Sequence, residues 1–306
     1  MSRTIAALDL GSNTLKLTIA RVRSDGLDVL DETSRITRIG EGLDRHGRLL
    51  DQAMSRTMLA LAELSRRCAD HGVDEIRCVG TAGLRGAANA REFLERVRLE
   101  TGIVVEIIDG LREAELTFSA PAGQFGPSPI VVLDLGGRST EVVAGVGTTI
   151  HGRVSLEMGS VRLTERFLPD DPPRWRDVER VLAHAREVLM TAPDASPGAR
   201  LVGVSGTIIS LLGLSRGLTD VEEAIRAAET TTLSKESVTA ELSRLAAIPA
   251  SERVFGSVLP PLRADVIVAG AAIALATFER YRADHMFVTH RGVRYGLLEE
   301  AKKSLA

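Results

Sequence analysis

The stretch VLDLGGRSTEV (132–142) runs an apolar segment into two glycines, an arginine, two hydroxyls and a carboxylate. The chain has nearly said this before, as LDLGSNTLKLT at 8–18. Laid over each other at an offset of 125 residues, Asp9 meets Asp134, Gly11 meets Gly136, Ser12 meets Gly137 and Thr14 meets Ser139. One such turn is a common β-hairpin. Two of them, repeated with their acids and hydroxyls, predict a duplicated domain and a site to which both copies contribute.

Composition bounds the answer. A chain of 306 residues has room for two domains, each with its own core. With 44% apolar and 26% charged residues it reads as an ordinary globular protein. Aromatic residues at 3% argue against base-stacking recognition of nucleic acid, so no DNA partner is expected. A net charge of −3 gives no global attraction to polyanions, and an anionic substrate needs a local basic surface. Cys68 and Cys78 are too few for a disulfide framework and read as buried thiols in a reducing cytoplasm. Asp9 and Gly11 come too early for a signal peptide. The longest apolar run, VIVAGAAIALATF (266–278), is too short to span a bilayer and predicts a buried helix. The expectation is a cytoplasmic protein with no membrane partner.

The pattern predicts strands near 4–10, 14–23 and 26–38, then a long amphipathic helix over 51–72. The strand EIRCVGTA, the helix NAREFLERVRLE and the strand IVVEIID follow. PAGQFGPSP (121–129) reads as a boundary. The pattern then restarts, with strands near 130–135, 140–146 and 149–157 and helices near 159–168 and 174–191. A strand RLVGVS and further helices near 219–229, 234–247 and 263–282 complete it. The expected fold class is α/β, with a first domain over 1–122, a second over 123–290, and a last helix within 291–306 packing back on the first.

Strand–turn–strand units rich in Gly, Ser and Thr can aim several backbone N–H groups at one point, as phosphate oxygens require. Asp9, Asp134 and Glu141 add oxygen ligands suited to Mg²⁺.

With these turns the chain resembles the actin-like ATPase superfamily, and within it the exopolyphosphatase/guanosine-pentaphosphate phosphohydrolase family. The likeness covers most of the chain. It is carried by DLGSN (9–13), TRIGEGLDRHGRL (37–49), GTAGLR (80–85), GLREA (110–114), DLGGRSTE (134–141), EMGSVRLTERF (157–167), GVSGT (203–207) and RADVIVAG (263–270). The resemblance implies two duplicated actin-like (ribonuclease H-like) domains, each with a mixed five-stranded sheet, and a cleft between them. It also implies hydrolysis of a terminal phosphoanhydride of polyphosphate or guanosine pentaphosphate. In such a reaction catalysis is mostly positioning and charge neutralisation.

By the same resemblance Glu113 activates water and Arg85 neutralises phosphate oxygens. Backbone groups of Gly11, Ser12, Asn13, Thr14, Gly136, Gly137, Arg138, Ser139 and Thr140 hold phosphates. Arg263 takes a second phosphate or a guanosine group. Asp134 and Glu141, with Asp9 as a third acid, hold Mg²⁺ or another divalent cation. A homodimer is compatible with the family. Arginines at 35, 38, 45, 48, 291 and 294 are candidates for a basic track.

Two departures stand out. Arg138 replaces the family's third loop glycine, which would carry strain if that position needed a positive φ. Arg112 replaces the first acid before Glu113 and would tie up the base if it paired with it. The chain also lacks the longer members' C-terminal helical region, which weakens the case for processive degradation. A small-molecule kinase on the same fold and a catalytically weak binding protein for guanosine polyphosphates or polyphosphate are the competing readings.

Overall fold

The computed structural model describes residues 2–305. Its elements alternate as β1 (Ser2–Leu10), β2 (Thr14–Arg23), β3 (Gly26–Ile36), α1 (Leu43–His46), α2 (Asp51–Asp70), β4 (Glu75–Gly80), α3 (Ala82–Arg85), α4 (Ala90–Thr101), β5 (Val105–Ile107) and α5 (Gly110–Phe125). The series continues through β6 (Pro129–Leu135), β7 (Thr140–Val146), β8 (Thr149–Leu156), α6 (Ser160–Phe167), α7 (Trp175–Leu189), β9 (Arg200–Val204), α8 (Gly206–Ser215) and α9 (Val221–Ala228). It ends with β10 (Thr232–Ser234), α10 (Lys235–Ala246), α11 (Ala250–Arg253), α12 (Pro261–Ala264), α13 (Ile267–Tyr281), β11 (His285–Thr289) and α14 (Val293–Lys303).

Two compact units result. The first comprises Met1–Ala120 with Val293–Ala306, the second Pro121–Gly292. The first unit's sheet has the order β3-β2-β1-β4-β5, with β1, β2 and β3 antiparallel and β4 and β5 parallel to β1. The second repeats it as β8-β7-β6-β9-β11, with the same antiparallel and parallel partners. The repeat read at 8–18 and 132–142 is therefore a repeat of topology.

The expected five strands become six in the second unit. The short segment Thr232–Ser234, between the additional helices α9 and α10, adds antiparallel to β11 and covers what would otherwise be a bare edge.

Strand parity positions the first site. On β1, Ala6, Leu8 and Leu10 enter a cluster with Leu61, Leu64, Phe93 and Val97 of α2 and α4. The alternate residues Ile5 and Ala7 pack with Leu116 of α5 and Val293, Leu297 and Leu298 of α14. Successive side chains of a strand face opposite ways, so Asp9 shares the α5 and α14 face. In the second unit the core gathers Val131, Leu133 and Leu135 of β6 with Val178 and Val181 of α7 and most of α13. VIVAGAAIALATF is the buried helix expected of it. Among the described residues no helix is long and apolar enough to cross a membrane.

The division between the two units falls at the start of PAGQFGPSP, between Ala120 and Pro121, yet only residues 126–128 of that stretch form a turn. α5 runs through Pro121 to Phe125, with Phe118 and Ala122 buried on either side of the proline.

Candidate functional site

The two repeated hairpins close alike. The Gly11 amide donates to the Thr14 carbonyl at 3.2 Å, and the Gly136 amide to the Ser139 carbonyl at 3.0 Å. A methyl on Gly11 would lie 3.0 Å from the Thr14 oxygen, and one on Gly136 2.8 Å from the Ser139 oxygen. Close backbone approach is why both positions are glycine.

Neighbouring segments then tie the loop carbonyls down. The Ser12 oxygen accepts from the Gly40 amide, and the Asn13 oxygen from those of Thr37 and Arg38, at 2.9–3.1 Å. In the second unit the Gly136 oxygen accepts from Ser160, and the Gly137 oxygen from Val161 and Arg162, at 2.8–3.0 Å. Among the described residues the amides of Ser12, Asn13 and Gly137 meet no protein acceptor. Each turn thus has its acceptors engaged and donors to spare, the electrostatics of an anion nest.

In the first unit Asp9 stands across the hairpin from Lys16, their charged groups 3.7 Å apart. Burial pushes the Asp9 carboxyl above its ordinary range, against the pull of Lys16 and of Arg294. Arg294, on α14, donates to the Leu17 carbonyl and the Thr18 hydroxyl, each at 2.7 Å. It is a buried brace and no part of a basic track, and Arg35 is paired with Glu63.

Glu113 lies in the first turn of α5, whose start is capped by the Asp109 carboxylate accepting from the Arg112 amide at 2.7 Å. Arg85, at the end of α3, donates through Nη1 to Glu113 at 2.8 Å and to the Ile108 carbonyl at 3.1 Å. Arg112 turns elsewhere, to Glu300 at 2.6 Å and Glu115 at 3.5 Å. The substitution before the proposed base therefore leaves it alone.

In the second unit Asp134 and Glu141 are directly opposed across the hairpin, and the Ser155 hydroxyl donates to Glu141 at 2.7 Å. Two carboxylates at a hairpin end fit Mg²⁺, which commonly takes one or two plus substrate oxygens and water. Among the described residues no group of three His, Cys, Asp or Glu side chains converges as a metal site.

Several side chains among the expected phosphate-binding residues are engaged within their own unit. Arg138 has no positive φ, so it adds no strain, and its side chain is 1% exposed, 4.0 Å from Glu165 of α6. The Thr140 hydroxyl donates to the Met158 carbonyl at 2.5 Å. Arg263 lies against Gly206, where a methyl would come within 2.4 Å of its guanidinium, and donates to the Gly206 carbonyl and the Ser210 hydroxyl at 2.9 and 3.0 Å. Burial lowers its pKa to about 10. It braces the GVSGT turn.

Lys16 escaped the sequence reading, Arg294 entered it only as a candidate for a basic track, and Ser205 only as a letter of GVSGT. Ser205 holds φ at 130° while its hydroxyl caps α8 by accepting from the Ile208 amide. A serine in glycine's territory costs about 1–3 kcal/mol. A strand-to-helix Ser-Gly was its only signal. Lys16 and Arg294 matter through pairings that no local motif records.

Known proteins match along the chain's full length. "Exopolyphosphatase 2" of Mycobacterium tuberculosis is 33% identical, over 96% of this chain and 97% of that protein. A "Guanosine-5'-triphosphate,3'-diphosphate pyrophosphatase" of Vibrio vulnificus is 31% identical over 98% of this chain but 59% of its own length. The crystal structure of the Aquifex aeolicus member of the Ppx/GppA protein family superposes with a TM-score of 0.82, at 31% identity and full coverage of both chains. With the family's model also matching residues 18–305, this chain belongs to the Ppx/GppA phosphatase family.

Proposed function

We propose that the protein is a divalent-cation-dependent phosphohydrolase that removes a terminal phosphate from polyphosphate or guanosine pentaphosphate. The observation that carries this reading is Glu113, a buried carboxylate oriented by Arg85 at the head of a capped helix. A fixed carboxylate of this kind can take a proton from an attacking water, the part that phosphoanhydride hydrolysis asks of a side chain. The amides of Ser12, Asn13 and Gly137 supply donors for phosphate oxygens, and their carbonyls' anchoring keeps them in place without reorganisation. Asp134 and Glu141 would hold the cation, Mg²⁺ being the best fit to two carboxylates. Bound there, it would neutralise phosphate charge. Arg85 orients the base through Nη1, and the rest of its guanidinium remains for phosphate.

The test is phosphate release from polyphosphate and from guanosine pentaphosphate by wild type and Glu113→Gln. The variant is expected to lose about 10²–10⁴-fold in kcat on whichever substrate the wild type cleaves. Equal rates in the two proteins would remove Glu113 from the mechanism.

A further inference from the structure

The helix α4 has two faces. Ala90, Phe93 and Val97 are buried in the first unit's core. Beside them Arg91, Leu94, Glu95 and Arg98 recur at i, i+3, i+4 and i+7, a second stripe that lines a groove of about 610 Å³. The facing wall is β5, at the edge of the sheet, with its flanking Val104. Val104 is 66% exposed and Ile107 is 42% exposed. Arg85 also lines the groove.

An apolar floor is thus met by three arginines and one glutamate. Arg98 is paired with Glu95 at 2.7 Å. Arg91 makes no hydrogen bond or ion pair among the described residues. Arg85 commits Nη1 to Glu113 and Ile108, while its side chain stays 21% exposed. The volume lies within the range of small-molecule sites, about 300–1,000 Å³. A bare phosphate would leave the floor uncovered, and a phosphate chain would gain nothing from it.

We propose that this groove binds a nucleoside monophosphate, with the base over Leu94 and Val104 and the phosphate on Arg91 and Arg85. Guanidinium groups recognise phosphate bidentately, which suits a groove with an excess of arginine. The outer edge of β5 offers unpaired backbone donors and acceptors to the polar rim of the base. Arg85 links the groove to chemistry. A phosphate on its remaining nitrogens pulls on the same guanidinium whose Nη1 orients Glu113, so occupancy is read out at the base. This second half rests on the role given to Glu113 above.

Calorimetric titration of the full chain with guanosine and adenosine 5'-monophosphate, ribose 5-phosphate and inorganic phosphate tests it, in wild type and Arg91→Glu. Phosphate release from polyphosphate is followed in parallel, with and without nucleotide. A nucleotide is expected to bind wild type at least about tenfold tighter than Arg91→Glu, roughly 1.4 kcal/mol. Arg91→Glu should release phosphate at the wild-type rate when no nucleotide is present. Nucleotide should change kcat in wild type only. Equal nucleotide affinity in the two proteins would overturn the site. Ribose 5-phosphate or inorganic phosphate binding as tightly as nucleotide would overturn the assignment of a base. Arg91-dependent binding with no change in kcat would uphold the site and refute the link to Glu113. Nucleotide binding in a protein that releases no phosphate would instead sink the hydrolase reading and leave the groove standing.

Discussion

Lys16 faces Asp9 across the first hairpin, and the cost of that carboxylate falls on the fold. Burial outweighs Lys16 and Arg294, so the folded pKa of Asp9 stands above its ordinary 3.8. Between these two values the native chain keeps a proton that the unfolded chain has lost. Stability from this group is therefore full below pH 3.8 and is lost as pH rises through the folded value. Asp9→Asn removes that penalty. In cation-free buffer its unfolding midpoint should exceed the wild type's at pH 7, the gap narrowing as pH falls, while phosphate release drops. A lower midpoint at pH 7 would show that the ionised pair with Lys16 is worth more than the burial it needs. Arg112 gives the opposite kind of prediction. Its ion pairs with Glu300 and Glu115 are more than a third exposed, so Arg112→Ala should cost less than about 1 kcal/mol in denaturant unfolding. Because the side chain turns from Glu113, kcat should stay within about twofold, under 0.5 kcal/mol of barrier.

Helices and strands were legible where a local period or cap marks them. β1 through β3, α2 and the restart at β6 follow from alternation and spacing, and so did the duplicated hairpins. Two of the elements missed show the physical reasons. Pro121 reads as a stop because it removes an N–H and crowds the preceding turn. Burial of Phe118 and Ala122 nevertheless holds α5 through it. β11 is a short parallel strand whose identity depends on β9 beside it, a pairing across some 85 residues. The site was legible as blocks and illegible as contacts: Arg294 reaches Leu17 from the far end of the chain. The same long-range packing makes Gly296 a test. A methyl there would sit 2.3 Å from the Leu116 carbonyl oxygen, where α14 meets α5 at backbone contact. Backbone cannot swing aside as a side chain can, so Gly296→Ala should destabilise by about 1–3 kcal/mol in chemical unfolding, despite alanine's better helix propensity. A neutral or stabilising result would mean that α14 is free to slide on α5.

At the scale of the whole chain, one topology has been used twice and its two hairpins have diverged in charge. The 125-residue offset that pairs Asp9 with Asp134 also pairs Lys16 with Glu141. The first hairpin therefore opposes an acid with a base, and the second opposes two acids. A divalent cation is favoured by the second arrangement and repelled by the ammonium of the first, whereas a phosphate is favoured by the first. On the proposed function the divergence divides the labour unevenly: both turns keep amide donors for phosphate, and only the second adds the paired carboxylates that would hold a cation. Titrating Mg²⁺ into the metal-free protein while following phosphate release separates the two. Glu141→Gln and Asp134→Asn should each raise the half-maximal Mg²⁺ concentration by about tenfold or more, the effect of losing roughly 1.4 kcal/mol of binding. Asp9→Asn should lower the rate at saturating Mg²⁺ and leave that midpoint where it was. If all three variants moved the midpoint alike, the three acids would share one ion and the division of labour between the hairpins would be wrong.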